Sequence, residues 1–272
     1  MTAPAADSAF SAGIPALYER HLVPLIFTPY AMVLVDRLEA LGAGRILELA
    51  AGTGALTREM AARLPPSVSI TATDLNQPML DHAASVGTAR PVEWRQADAL
   101  DLPFASGTFD AVTCQFGAMF FPDKVRAFAE ARRVLAPRGT FLIAVWDSVE
   151  TNEFCDLVMR ALDARFGAGT IAFMRRAPHA YFDEATIRRD LGDAGFRQVR
   201  IDAVQRTSVG ESAASVAVGY CQGNPMRLEI ERLGTGAVQE ATKVAEDALR
   251  ARYGVGPVEG RIQALVIEAT PG

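Results

Sequence analysis

From about residue 29 onward, short apolar runs alternate with stretches whose apolar residues recur at helical spacing, the pattern of βαβ units built around a parallel sheet. The first apolar run is "RILELA" (45–50), and the helix after it, from Gly54 through "ALTREMAARL", is stopped by the Pro65-Pro66 pair. "VSITATD" (68–74) predicts a second strand and "QPMLDHAASV" (77–86), with Pro78 in its first turn, a second helix. "PVEWRQA" gives a third strand and "FDAVTCQFG" a fourth, followed by the helix "KVRAFAEARRVL". "GTFLIAVWD" (139–147) is a nearly unbroken apolar run, as expected at the centre of a sheet covered on both faces.

Beyond Asp147 the rhythm changes. Residues 150–166 and 183–194 predict helices, with the irregular "FGAGTIAFMRRAPHAYF" between them. Gly195 ends the second helix before the strand-like "FRQVRIDAVQR", and a last strand is read in "GRIQALVIEA". About 50 residues separate these two strands where a two-residue turn would suffice. They contain the helical "ATKVAEDALRARYG" and read as a helical cap, although that helix could bury its apolar face against a partner in a homodimer as easily as against the core. The expected organisation is an N-terminal lid segment at 1–30, a core at 31–206 and 257–272, and a cap insertion at 207–256.

Composition narrows the partners. Half of the 272 residues are hydrophobic, ample for a buried sheet. A net charge of −5, with Lys and Arg spread along the chain, argues against nucleic acid and for a small-molecule partner. Cys114, Cys155 and Cys221 show neither CxxC spacing nor a nearby pair of histidines, so no disulfide framework and no metal site is expected, and a reducing cytosol fits. "MTAPAADSAF" lacks the basic start of a signal peptide, and no apolar run approaches the roughly 20 residues of a membrane span, so a soluble, cytoplasmic protein is expected.

The chemistry centres on "RILELAAGTG". Alone, "GTGALT" is a weak match to the dinucleotide fingerprint, because Thr57 stands where a third small residue should let helix and strand approach closely. Asp74, 20 residues after Gly54, can bind ribose hydroxyls of NAD or of another adenosine cofactor and does not discriminate. Glu48 inside the first strand does: a negative charge there suits a cationic ligand better than a pyrophosphate. "QADALDLPF" supplies a second acid, Asp98, at the adenosine end. Alternatives stay open for single residues: Asp98 as a turn former, Glu48 as the ion-pair partner of Arg45 or Arg58, and Met79 as core.

Through "ILELAAGTG", "ATDLNQPML", "QADALDLPFASGTFDAVTCQFGAMFF" and "AFAEARRVLAPRGTFLIAVW", about residues 45–146, the chain resembles the class I S-adenosylmethionine-dependent methyltransferases, in particular the ubiquinone and menaquinone C-methyltransferases. The resemblance implies an α/β fold: a Rossmann-like, doubly wound seven-stranded sheet with an antiparallel edge hairpin. It also implies a role for each motif residue. Ala50, Gly52 and Gly54 would pass against the methionine and ribose portions of the cofactor, any larger side chain at the glycines taking ligand space. Glu48 would orient the loop and offset the positive charge, Asp74 would accept from the ribose hydroxyls, and Leu75 and Met79 would line the adenine. Asp98 would accept from its amino group, Ala99 would offer a backbone N–H, and Gln115 and Phe116 would meet the methionine end.

Methyl transfer from a sulfonium asks the protein mainly to align a nucleophile and exclude water. A general base helps if that nucleophile is a hydroxyl. His179, with Tyr181 beside it in "APHAYF", is the best base candidate, because the segment follows the fifth strand at the carboxyl edge where ligands of such sheets bind. Tyr18 and His21 belong to the N-terminal lid. Phe27, Phe116, Phe120, Phe121 and Phe154 suggest a hydrophobic or aromatic acceptor. The competing readings are a noncatalytic nucleotide-binding or regulatory module and an NAD-dependent oxidoreductase.

Overall fold

The computed structural model describes residues 14–272; the first 13 residues of the expected lid lie outside the described residues. A short helix α1 (Ile14–Leu17) runs into a wider-wound helical stretch, Tyr18–Phe27, and then into α2 (Thr28–Leu41). The widening is visible where Thr28 N–H bonds the carbonyl of Val23, five residues back. Pro24 sits inside this stretch and offers no N–H of its own, so its turn cannot complete the regular ladder. The boundary expected at residue 30 therefore falls inside one continuous helix.

Tyr18–Leu41 is, among the described residues, a 24-residue helix long and apolar enough to cross a membrane, with a mean hydropathy of 1.2. That corrects the expectation that no run reaches such a length. Its apolar residues are committed elsewhere: Tyr30, Leu34 and Leu38 are buried where α2 packs on β4, β5 and β6 of the sheet defined below, and 56% of its most apolar window lies inside the protein.

The strands are β1 (Arg45–Glu48), β2 (Ser69–Asp74), β3 (Glu93–Gln96), β4 (Phe109–Gln115), β5 (Leu135–Trp146), β6 (Gln198–Gly210) and β7 (Val258–Thr270). The connecting helices are α3 (Ala55–Arg63), α4 (Gln77–Val86), α5 (Lys124–Val134), α6 (Glu153–Phe166), α7 (Phe173–Arg176) and α8 (Glu184–Asp193), followed between β6 and β7 by α9 (Ala213–Gln222), α10 (Met226–Glu231) and α11 (Ala237–Tyr253). One seven-stranded sheet results, in the order β3-β2-β1-β4-β5-β7-β6. Its first five strands are parallel, and β7 runs antiparallel to both of its neighbours. Helices cover both faces, so the expected doubly wound sheet with an antiparallel edge hairpin stands. The chain turns outward from β1 to β2 and returns at β4, and the crevice at that reversal is where open α/β sheets bind ligands.

Local chemistry explains the boundaries. Asp123, Asp183 and Ser212 each cap the N-terminus of the helix they precede by accepting a backbone N–H, at α5, α8 and α9. The burial of β4 and β5 is almost unbroken, as the apolar runs predict, whereas β3 at the edge is short and mostly exposed. The hairpin is longer than its apolar letters suggest. β6 and β7 pair from Gln198 with Thr270 to Gly210 with Val258, so residues 207–210 belong to the strand and the helical insertion starts after Gly210. α11 turns Ala237, Ala241, Ala245 and Leu249 inward against α9 and α6, so the face considered for a dimer is covered within the chain.

Candidate active site

A cavity of about 380 Å³ opens at the carboxyl ends of β1, β2 and β4, within the range of small-molecule sites, about 300–1,000 Å³. Glu48, Ala50, Gly52, Asp74, Leu75, Met79, Asp98, Ala99, Gln115 and Phe116 all line it, as do Tyr18, Phe27, Phe120 and Phe121. Ten of the eleven positions expected to hold a cofactor are thus brought together. Thr53 and Leu100 also line it and were not foreseen. They follow Gly52 and Ala99 along the same loops, so the loop motifs themselves were the signal.

Gly54 is the exception. It does not line the cavity, and a Cβ there would meet Trp94 at 3.0 Å and Ala83 at 3.2 Å rather than ligand. Its φ of +84° opens α3 in the left-handed region. Gly54 is a turn and packing glycine, and Gly52, with φ of +57° and nothing nearer than Met79 Cε at 3.7 Å, is the one that leaves room for ligand. Gly54→Ala should cost about 1–3 kcal/mol of folding stability, read from denaturant midpoints, through backbone strain and the Trp94 contact.

Two non-glycine residues in the lining hold left-handed backbone, Ala50 at φ +53° and Phe116 at +55°. Such strain persists only where the surroundings fix it and concentrates at functional sites. Here the fixing contact is Gly117, where an added Cβ would lie 2.4 Å from Ala50 Cβ, so the β1 and β4 loops meet too closely for any side chain.

Glu48 is buried at 2% exposure and accepts a 2.5 Å hydrogen bond from Thr57 Oγ1. Thr57, which spoiled the dinucleotide fingerprint, is therefore the residue that holds the strand carboxylate. Burial pushes the Glu48 carboxyl up to about 8 and the Asp74 charge adds to the rise, while the Thr57 bond and the Arg58 charge oppose it. Neither expected ion pair forms: Arg45 bonds Asp110, and Arg58 donates to Thr53 O at 2.6 Å and to Glu19 of the N-terminal helix. Asp74 receives Gly52 N–H at 2.9 Å and Asn76 N–H at 2.8 Å, which hold down a carboxyl that burial raises. Asp98 is both turn former and lining residue, its Oδ1 accepting from Leu100 N–H at 2.9 Å.

A smaller pocket of about 60 Å³ adjoins this cavity and shares Tyr18, Phe27, Phe116 and Phe120 with it. Its floor is Phe116 stacked on Trp146 at 3.7 Å and 2° between planes, and its rim is built by Leu22 and Ile26 of the N-terminal helix, Phe173 and Met174 of α7, and Tyr220, Asn224 and Pro225 from α9 and the turn after it. Trp146 was missed in the sequence, although a tryptophan ending a central strand at the carboxyl edge is itself a signal. Gln115 ties down the N-terminal helix, its Nε2 donating to Phe27 O at 2.7 Å; its Oε1 is buried without a partner in the protein.

The remaining candidates lie elsewhere. His179 lines neither cavity: it is 5% exposed, sits behind Trp146 with ring centroids 5.9 Å apart, and gives its Nδ1–H to Asp147 O at 2.6 Å. Burial holds its pKa down at about 4, so it is neutral and weakly basic at physiological pH. Tyr181 also stands outside both cavities and donates to Asp190 Oδ2 at 2.9 Å. His21 lines neither; its Nδ1 is 3.0 Å from Ser215 Oγ and joins the N-terminal helix to α9. Phe154 is core, edge-on to Tyr253 and packed over Gly260. All three cysteines are free and buried, and no group of three metal-ligating side chains occurs among the described residues.

Comparison with known proteins gives a family model described as a methyltransferase domain, matching residues 47–143. The ubiquinone/menaquinone biosynthesis C-methyltransferase UbiE of Cronobacter sakazakii is 30% identical over 168 residues, 57% of this chain and 67% of that protein. A malonyl-[acyl-carrier protein] O-methyltransferase of Geobacter sulfurreducens is 35% identical over 167 residues, 60% of this chain and 59% of that protein. Among solved structures, phosphoethanolamine N-methyltransferase 2 of Haemonchus contortus, in complex with phosphomonomethylethanolamine and S-adenosylhomocysteine, superposes with a TM-score of 0.59 at 14% identity, covering 96% of this chain and 58% of that one. The alignments thus span about two thirds or less of these proteins' lengths, and the two relatives and the structural neighbour are named as C-, O- and N-methyltransferases respectively.

Proposed function

Because the chain belongs to the S-adenosylmethionine-dependent methyltransferases, we propose that it methylates, at carbon or oxygen, a small neutral molecule of apolar or aromatic character held in the smaller pocket where it opens into the larger cavity, since about 60 Å³ alone does not take an aromatic ring. The residues at the larger cavity fit the cofactor. A buried carboxylate with further lone pairs to give, Asp74, stands beside a left-handed glycine whose missing Cβ keeps space open, and Gln115 Oε1 waits without a protein partner. When bound, the cofactor supplies a methyl group already activated on a sulfonium. This chain's residues do the rest: Asp74 takes the ribose hydroxyls, Asp98, Ala99, Leu75 and Met79 the adenine, and Glu48 balances positive charge at the methionine end. The N-terminal helix, with Tyr18 and Phe27, covers the junction of the two spaces and keeps water from it. His179 and Tyr181, set back from both, serve the pocket's walls rather than proton transfer. The three buried thiols suit a reducing compartment, the cytoplasm.

The observation that carries the acceptor class is the smaller pocket's lining, in which no Asp, Glu, His, Lys or Arg occurs among the described residues. Burying a charged substrate group there would leave it unpaired, at a cost of several kcal/mol. The test is transfer of labelled methyl from S-adenosylmethionine to three sets of acceptors: hydroquinones and phenols, acyl carboxylates, and phosphorylated amines. Label is expected in the first set alone. Efficient methylation of a carboxylate or a phosphorylated amine would overturn the acceptor class, and binding of S-adenosylhomocysteine with no transfer to any set would favour the noncatalytic module.

A further inference from the structure

Phe120 is one of the four residues that line both spaces, and it lies 6.4 Å from Phe173 in a stacked arrangement. It belongs to a single short turn of helix, Ala118–Phe120, whose internal hydrogen bonds run only from Phe120 N–H to Gly117 O and from Phe121 N–H to Ala118 O. The carbonyls of Met119 and Phe121 gain nothing from that turn. Both are taken by one side chain, Lys124, whose Nζ donates to Met119 O at 3.2 Å and to Phe121 O at 3.0 Å. The same ammonium sits 4.9 Å from the centre of the Tyr181 ring, whose hydroxyl is anchored on Asp190 of α8.

We infer that Lys124 is a positioning residue for the acceptor: held over the Tyr181 face, it clamps the Met119 and Phe121 carbonyls and thereby fixes Phe120 as a wall that shapes the smaller pocket. A lysine suits this, since an ammonium gives three donors in tetrahedral directions, enough for two carbonyls and one aromatic face. The inference also gives Tyr181 a use that a catalytic reading does not: its ring faces Lys124 and not the cavity. It rests on the acceptor reading above, in that the smaller pocket is taken to hold the methyl acceptor.

The test needs no knowledge of the natural acceptor. The neutral aromatic dye N-phenyl-1-naphthylamine is titrated by fluorescence into the full chain saturated with S-adenosylhomocysteine, and S-adenosylhomocysteine itself is titrated by calorimetry. Lys124→Met, which keeps the stem and removes the donors, should weaken dye binding at least fivefold and change S-adenosylhomocysteine affinity less than twofold, because Lys124 touches neither the cofactor residues on β1, β2 and the loop after β3 nor Gln115 and Phe116 at the end of β4. Phe120→Leu should weaken dye binding as much, and Lys124→Met added to Phe120→Leu should cost nothing further, as both act through one wall. Unchanged dye binding in Lys124→Met, parallel loss of both ligands, or additive loss in the double variant would each overturn the inference. A wild-type chain that binds S-adenosylhomocysteine but not the dye would instead sink the acceptor pocket on which it rests.

Discussion

Asp74→Ala is expected to weaken S-adenosylhomocysteine binding by about 2–4 kcal/mol, roughly 30- to 1,000-fold, the worth of two hydrogen bonds to a charged acceptor. The structure adds a reason for the upper half of that range. Besides facing the cavity, Asp74 holds Gly52 N–H and Asn76 N–H, so alanine also frees the loop that lines the site. Asp74→Asn separates the two effects, since an amide oxygen can still accept one backbone N–H while the charge is gone, and it should fall between alanine and wild type. Calorimetry on folded variants decides the matter: a dissociation constant within twofold of wild type for Asp74→Ala would mean that the acid is not the ribose ligand.

The strands that build this site were legible because they are buried on both faces. β5 reads as a nearly unbroken apolar run and β1 and β4 as short apolar runs broken by single polar residues, and the loop residues after them were read through spacing and family resemblance. What was not legible depends on contacts distant in sequence. Thr57 looks like a defect in a glycine fingerprint until Glu48 is seen against it at 2.5 Å. Gly54 looks like a ligand glycine until Trp94 from another strand closes over it. His179 occupies the expected edge of the sheet, yet the carbonyl of Asp147 and the ring of Trp146 turn it into wall.

The N-terminal helix illustrates the other limit. Its apolar residues recur around most of its circumference, and Pro24 interrupts the regular ladder, so neither periodicity nor caps reveal it. It is held by side-chain hydrogen bonds to the rest of the chain, with Ser208 Oγ donating to Leu25 O, Gln115 Nε2 to Phe27 O and the helix's own Tyr30 OH to Val204 O. The residues it brings to the site, Tyr18 and Phe27, are those that both cavities share with Phe116 and Phe120.

Glu48 is expected to make cofactor affinity depend on pH. In the free protein burial holds its proton up to about 8, whereas a bound S-adenosylmethionine, positive at its sulfonium and amino group, favours the ionised carboxylate. Binding then releases a proton, so affinity rises between pH 5.5 and 7.5 by up to about tenfold per pH unit, 1.36 kcal/mol for each unit. Stability without ligand runs the opposite way. The folded state keeps the Glu48 proton up to about 8 and the unfolded chain loses it near 4.5, so the folded state binds more protons between these values and stability falls as pH rises through that window. Glu48→Gln removes both dependences: its amide can still accept from Thr57, its affinity for the cofactor should be nearly flat with pH and lower than wild type at pH 7.5, and its free form should melt higher than wild type at pH 8.5. Calorimetric titrations and melting curves across this range check each part. A wild-type affinity that does not change from pH 5.5 to 7.5, or a slope that survives in Glu48→Gln, would show that the strand carboxylate is not the group that answers the cofactor's charge.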